Sequence, residues 1–281
     1  MFEILNSYQF FPVTAFFVFA FGLITGSFVN VCIYRIPLNK SIVFPPSSCT
    51  KCGHKIKWDE NIPVVSWLFL RGKCSKCKEK ISLIYPLIEL LNGFLYLLAF
   101  LRFGLTPELF LLFYFISAMV VTSAIDFKTQ FVYGGVVLPL IAAGMIWSYI
   151  NPETQVLFSL VGAVTGGGIL LLVIFVFYIV TRKIGMGLGD VYILAAIGSF
   201  TGPFKIPFIL LTASLLGILF FVLAKVLFKQ KKIAGNITKE DLKSDSEKDV
   251  ENAIYFGPFL AFAGVAVLLM PPEIFSKIPL F

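Results

Sequence analysis

The chain has 281 residues, of which 58% are apolar, 16% aromatic and 14% charged, and its mean hydropathy is +0.90. A soluble domain of this length cannot hide so much apolar surface, so the composition excludes a globular soluble protein and implies a polytopic membrane protein. The net charge of +7 is sorted along the chain rather than gathered in one patch, and no nucleic-acid partner is expected.

Apolar windows long enough to cross a hydrocarbon core of ~30 Å fall at about 10–34, 84–101, 108–125, 132–150, 155–181, 205–228 and 254–272. The first lacks a basic leading region and ends in polar GSFVN, which predicts a retained span rather than a cleaved signal. A shorter, glycine-flanked run at 190–202 makes eight if it also crosses. The connections then alternate between two sides, and 20 of the 23 basic residues fall on one of them. Only Arg102, Lys205 and Lys277 fall on the other. By the positive-inside rule the loops at 37–83, 126–131, 182–189 and 229–252 are cytoplasmic and both termini lie outside. The expected fold is an all-α polytopic membrane protein of about eight transmembrane helices with a small cytoplasmic zinc-ribbon-like module. It divides into a first span (1–36), the module (37–83) and a membrane core (84–281) whose mixed-charge loop at 229–252 is expected to be mobile. No internal repeat is evident, which counts against an inverted-repeat transporter.

The module carries CTKC (Cys49, Cys52) and CSKC (Cys74, Cys77), separated by 21 residues. Each CxxC knuckle points two sulfurs at one place, and two knuckles supply the four thiolates of a tetrahedral structural zinc site. A pair of disulfides is the alternative, disfavoured in a reducing cytoplasmic loop. So small a module depends on its metal for stability. Cys32, in the first span, is expected to be an apolar filler. His54 is the single histidine and is expected to be an exposed loop residue. With one histidine outside the spans, neither a Ser–His dyad nor an HExxH site can operate in the membrane.

Three acids lie where hydrocarbon is close: Glu89 in YPLIELLNG, Asp126 in TSAIDFKTQ and Asp190 in GMGLGD. Such carboxylates cost a few kcal/mol, roughly, and are functional candidates. The topology set by lysines and arginines places Asp126 and Asp190 at the same cytoplasmic face. Two adjacent carboxylates share a proton, so one can activate water while the other protonates a scissile carbonyl. Gly187 and Gly189 weaken the helix before Asp190 and let an extended substrate approach the backbone. The plainer reading makes Asp190 a helix N-terminal cap.

These residues resemble the type IV prepilin leader peptidases. The matching stretches are GSFVNVCIYRIP (26–37), the CxxC pairs with NIPVVSWLFLRGKC between them, ISLIYPLIELL, the Asp126 segment, GMGLGD and FGPFLAFAG (256–264). The resemblance implies a GxGD-type aspartic peptidase that removes short basic leaders from prepilins or pseudopilins in the bacterial inner membrane. Members commonly then methylate the new N-terminus with S-adenosylmethionine. It implies Asp126 and Asp190 as the catalytic pair, the four cysteines as the metal site, and Gly72 and Lys73 as residues of methyl transfer. Two departures bear on substrate preference: Tyr133 and Gly134 replace the usual Pro-Asp or Pro-Asn, and Tyr192 replaces a common lysine.

Gly26, Ser27 and Asn30 read as helix-packing residues, and Glu89 with Asn92 as a brace between module and span. Because module and leader are both basic, Lys51, Lys55, Lys57 and Lys76 are expected to face anionic headgroups instead. The alternative function is a carrier or channel using Asp126 and Asp190 as cation or proton sites, although a carrier places such acids near the midplane. A scaffold recruiting partners through the module would need the cysteines and not the aspartates.

Overall fold

The computed structural model describes residues 10–151, 155–182, 186–233 and 256–271. Among them are nine α-helices: α1 Phe11–Arg35, α2 Val65–Phe69, α3 Ile84–Phe103, α4 Leu109–Thr129, α5 Gly134–Ile150, α6 Val156–Thr181, α7 Leu188–Thr201, α8 Ile206–Ile233 and α9 Gly257–Leu269. Five stretches are long and apolar enough to cross a membrane: Phe11–Leu38, Ile84–Phe103, Leu109–Thr129, Val156–Thr181 and Ile206–Leu223. α5, α7 and α9 are apolar but shorter, at 17, 14 and 13 residues. At 1.5 Å per residue these reach only about 20–26 Å.

The helices begin and end where the composition changes. Pro12 occupies the first turn of α1, where a missing N–H costs nothing. α4 ends at Gln130, in left-handed backbone, whose N–H returns to the Asp126 carbonyl at 2.9 Å. The loop expected from 229 starts later, since α8 runs on to Ile233. The rest of that loop lies outside the described residues, as do 1–9 and 272–281, on which the placement of the termini depends.

α4 is the central element, and α7 is almost wholly buried among α5, α6 and α9, while α6 and α8 present most of their surface outward. Two close helix contacts organise the bundle. α1 meets α3 where Gly22 faces Gly93, so a Cβ on Gly22 would lie 2.7 Å from the Gly93 Cα. α6 meets α7 through Gly162 and Gly198 in the same manner. Small residues let helix backbones approach where lipid supplies no hydrophobic drive for association. Asn92, fully buried, ties three helices together. Its Nδ2 donates to the Gly22 carbonyl at 2.9 Å and the Thr25 hydroxyl at 2.8 Å, and its Oδ1 accepts from Ser117 at 3.1 Å. Cys32 lies in an apolar cluster with Val29, Ile33, Val120, Val121 and Ile125, the filler role expected of it.

Candidate active site and cysteine cluster

Asp126 sits in the last turn of α4, 7% exposed, and Asp190 in the first turn of α7, half-buried. Far apart in sequence, the two acids are carried by helix ends that meet at the α4–α5 connection and at the start of α9. Two contacts set the approach. Gly189 presses against Val132, so that an added Cβ would lie 2.6 Å from the Val132 side chain and force α7 away from the α4–α5 connection. Gly257, the first residue of α9, sits on Asp126: a Cβ there would meet Oδ2 at 2.5 Å and Ile193 at 3.1 Å. Ile193 lies one turn beyond Asp190, so α9 packs over both acid-bearing helices. A helix N-terminus beside Asp126 also favours a carboxylate there.

The residue that caps α7 is Gly187, not Asp190, and it makes no side-chain cap hydrogen bond. Gly187 is exposed, in extended backbone (φ −77°, ψ 148°), and among the described residues a Cβ there would meet only the Gly189 nitrogen, at 3.9 Å. Neither it nor Gly189 needs left-handed backbone. One glycine permits close packing and the other leaves room beside the chain. Gly185 lies outside the described residues. Tyr133 caps α5, its ring edge-on to Phe131 at 5.0 Å, and Tyr192 is 37% exposed on α7.

The four cysteine sulfurs lie within 4.8 Å of one another, with Cys49 and Cys77 at 3.8 Å and Cys52 and Cys74 at 4.0 Å. Four sulfurs about 2.3 Å from a tetrahedral ion would stand about 3.8 Å apart, so the set fits a metal ion. The two knuckles repeat one geometry. The Gly53 N–H returns to the Cys49 carbonyl at 3.0 Å and the Lys78 N–H to the Cys74 carbonyl at 3.1 Å, and both donors have positive φ. Isolated bridges Ser48–Lys55 and Lys73–Lys80 close each loop. The backbone N–H groups of Cys52 and Lys51 hold the Cys49 thiol down to about 6. The Glu79 backbone N–H also favours the Cys77 thiolate, but burial and the neighbouring cysteines push that thiol up to about 12. A set of thiols so close resists full ionisation without a cation among them.

His54 is not the exposed loop residue expected. It is half-buried, and its Nε2 lies 3.0 Å from Glu60 Oε2. The Ser75 hydroxyl, the Lys57 N–H and His54 hold the Glu60 carboxyl down at about 2. Glu60 thus joins the two knuckles, since His54 follows one and Ser75 lies in the other. Gly72 is buried at φ +64°, while Lys73 beside it is exposed. Gly257 is a site residue that the sequence reading misses, although FGPF marks the stretch. A glycine followed by proline at a helix start is the available signal.

Residues 20–103 match the bacterial peptidase A24 N-terminal domain and residues 113–222 the type IV leader peptidase family. The chain is 34% identical over 279 residues to the prepilin leader peptidase/N-methyltransferase of Pseudomonas putida, covering 91% of this chain and 90% of that protein. It is 35% identical to the protein of the same description from Neisseria gonorrhoeae, over 73% of this chain and 80% of the relative. The figure for Klebsiella pneumoniae is 37%, over 70% and 90%. No solved structure gives a significant match. With both family profiles matched in order and relatives aligned nearly end to end, the chain belongs to the type IV leader peptidase family.

Proposed function

We propose that this chain is an inner-membrane aspartic endopeptidase that removes the basic leader from type IV prepilins or pseudopilins and then methylates the new N-terminus, with Asp126 and Asp190 as the peptidase pair. The observation that carries the reading is that Gly257 packs on both the Asp126 carboxyl group and Ile193, one turn beyond Asp190, so two acid-bearing helix ends of a leader-peptidase chain meet under α9. One carboxylate, ionised, takes a proton from a water molecule that attacks the scissile carbonyl carbon. The other, protonated, donates to the carbonyl oxygen, and collapse of the tetrahedral intermediate returns a proton to the leaving amine. The exposed, extended backbone at Gly187 gives an extended substrate a place beside Asp190. Eight crossings, with the acids, module and most basic residues on the cytoplasmic side and both termini outside, complete the arrangement.

The module at 37–83 is a structural zinc unit held by Cys49, Cys52, Cys74 and Cys77. Gly72 and Lys73 serve methyl transfer. When bound, S-adenosylmethionine supplies an electrophilic methyl group to the free amine. A cleft of about 330 Å³ is bordered by Asp59, Glu60, Ile62, Val65, Phe69 and Leu70, and its carboxylates and apolar wall suit a cationic donor bearing a flat base. The module's lysines, among them Lys51, Lys55, Lys57 and Lys76, face anionic lipid headgroups.

The decisive experiment converts Asp126 or Asp190 to Asn and follows a prepilin substrate on a gel. Loss of cleavage with either change is expected for a shared-proton pair. Cleavage persisting in both variants removes the peptidase reading.

A further inference from the structure

Glu89 is a carboxylate with no part in the Asp126–Asp190 chemistry. It lies in the second turn of α3, 8% exposed. Gly26 of α1 abuts its backbone, where an added Cβ would come within 2.8 Å of the Glu89 Cα, and Ser27 lies beside its carboxyl group. Asn30 one turn on donates to the Tyr85 carbonyl at 3.0 Å. The small and amide residues of GSFVN therefore build a seat for the start of α3. The Glu89 side chain leaves that seat toward the cysteine module.

There its Oε2 accepts a hydrogen bond from the Val64 N–H at 2.7 Å. Val64 is at φ +63°, ψ −49°, a region that a β-branched residue enters only under constraint. It is also the residue that starts α2. α2 carries Trp67, whose Nε1 donates to the Ile81 carbonyl at 3.2 Å and whose ring lies against Gly72, 2.8 Å from where a Cβ would stand. The Gly72 N–H donates to the Trp67 carbonyl at 2.8 Å, and the Gly72 carbonyl accepts from Ile81 at 2.7 Å. A chain of direct contacts thus runs from a buried membrane carboxylate, through one strained amide and one indole, to the Gly72–Lys73 turn. Arg35 of α1 also reaches the module, donating to the Ser41 and Pro45 carbonyls, but those bonds are exposed to solvent and lie far from α2 in the chain.

We propose that Glu89 is a positioning residue: by accepting the Val64 N–H it docks the cysteine module on the membrane helices and fixes the Gly72–Lys73 turn for methyl transfer. The proposal rests on the methyl-transfer reading of that turn. What the contact needs is an acceptor oxygen at the reach of a glutamyl side chain, not a charge or a proton. Gln keeps that acceptor, Asp is one methylene too short, and Ala has none.

The experiment uses the full chain, zinc-loaded and reconstituted in lipid nanodiscs, as wild type and as Glu89→Gln, Glu89→Asp and Glu89→Ala. Three readouts are taken: leader cleavage, methyl incorporation into pre-cleaved pilin, and backbone hydrogen exchange over residues 62–73. Wild type and Gln are expected to match in all three. Asp and Ala are expected to retain cleavage, to lose methyl transfer by about tenfold or more, and to exchange the 62–73 amides at least about tenfold faster. Loss of methyl transfer in Gln with protection intact overturns the proposal, because the carboxyl group itself would then be required. Unchanged exchange in Asp and Ala overturns it as well, as does full methyl transfer despite rapid exchange. A wild type that cleaves but transfers no methyl group sinks the bifunctional reading instead, and the exchange pattern still decides the tether.

Discussion

The membrane core around α4 and α7 and the cysteine module obtain their order in opposite ways. In the core, Asp126 is placed by packing: its neighbour Ile125 is buried in an apolar cluster, and Gly257 closes on its carboxyl group. In residues 37–83 the one buried hydrophobic side chain is that of Cys74, while Phe44, Trp58 and Phe69 stand 74%, 84% and 84% exposed. Turn hydrogen bonds, the Glu60 clamp and four sulfurs replace a core. A carboxylate pair held by packing should tolerate loss of metal, whereas a module without a core should not.

Substitutions can break or sharpen that contrast. The largest effect is expected from Asp126→Asn or Asp190→Asn, each reducing leader cleavage by about a thousandfold or more while methylation of pre-cleaved substrate persists. Next come Cys49→Ser and Cys74→Ser. Zinc content measured by atomic absorption should fall to a small fraction of one per chain, and methyl transfer should be lost. Cleavage should drop by less than about tenfold, since the acids are seated elsewhere. If cleavage fell as far as in the aspartate variants, the two regions would be one cooperative unit.

Gly257→Ala is expected to lower cleavage by about 10- to 100-fold, because its methyl group displaces the Asp126 carboxyl and small misplacements of reacting groups are costly. Thermal stability of the module should not change, which a metal-dependent unfolding assay would show. The smallest effect is on lipid binding. Replacing Lys51, Lys55, Lys57 and Lys76 together by Gln should weaken binding to liposomes rich in anionic lipid by about 1 kcal/mol per lysine near the surface. Cosedimentation measures it, and unchanged binding would show that the module's lysines face away from the headgroups.

Much of the helical framework is legible in the sequence. Every long apolar window coincides with a helix, from 10–34 against Phe11–Arg35 to 254–272 against Gly257–Leu269, because the length of an apolar run is a local property. α2 is not legible in this way. Five residues are too few for a periodic signal, and its start depends on the Val64 amide being held by Glu89. His54 reads as exposed because its partner, Glu60, is an ordinary loop acid until the two knuckles close around it. The brace expected of Glu89 has no partner in sequence terms, and the positive φ of Val64 leaves no trace in composition.

By itself, the sequence determined the membrane class, the positions of the helices and the convergence of four cysteines, since hydropathy and spacing act residue by residue along the chain. Only the tertiary structure decided that Gly257 closes over Asp126, that Glu60 joins the knuckles and that Glu89 holds Val64. Those contacts join segments whose separation in sequence carries no periodic signal, and they form only when close-packed helices bring their ends to one surface.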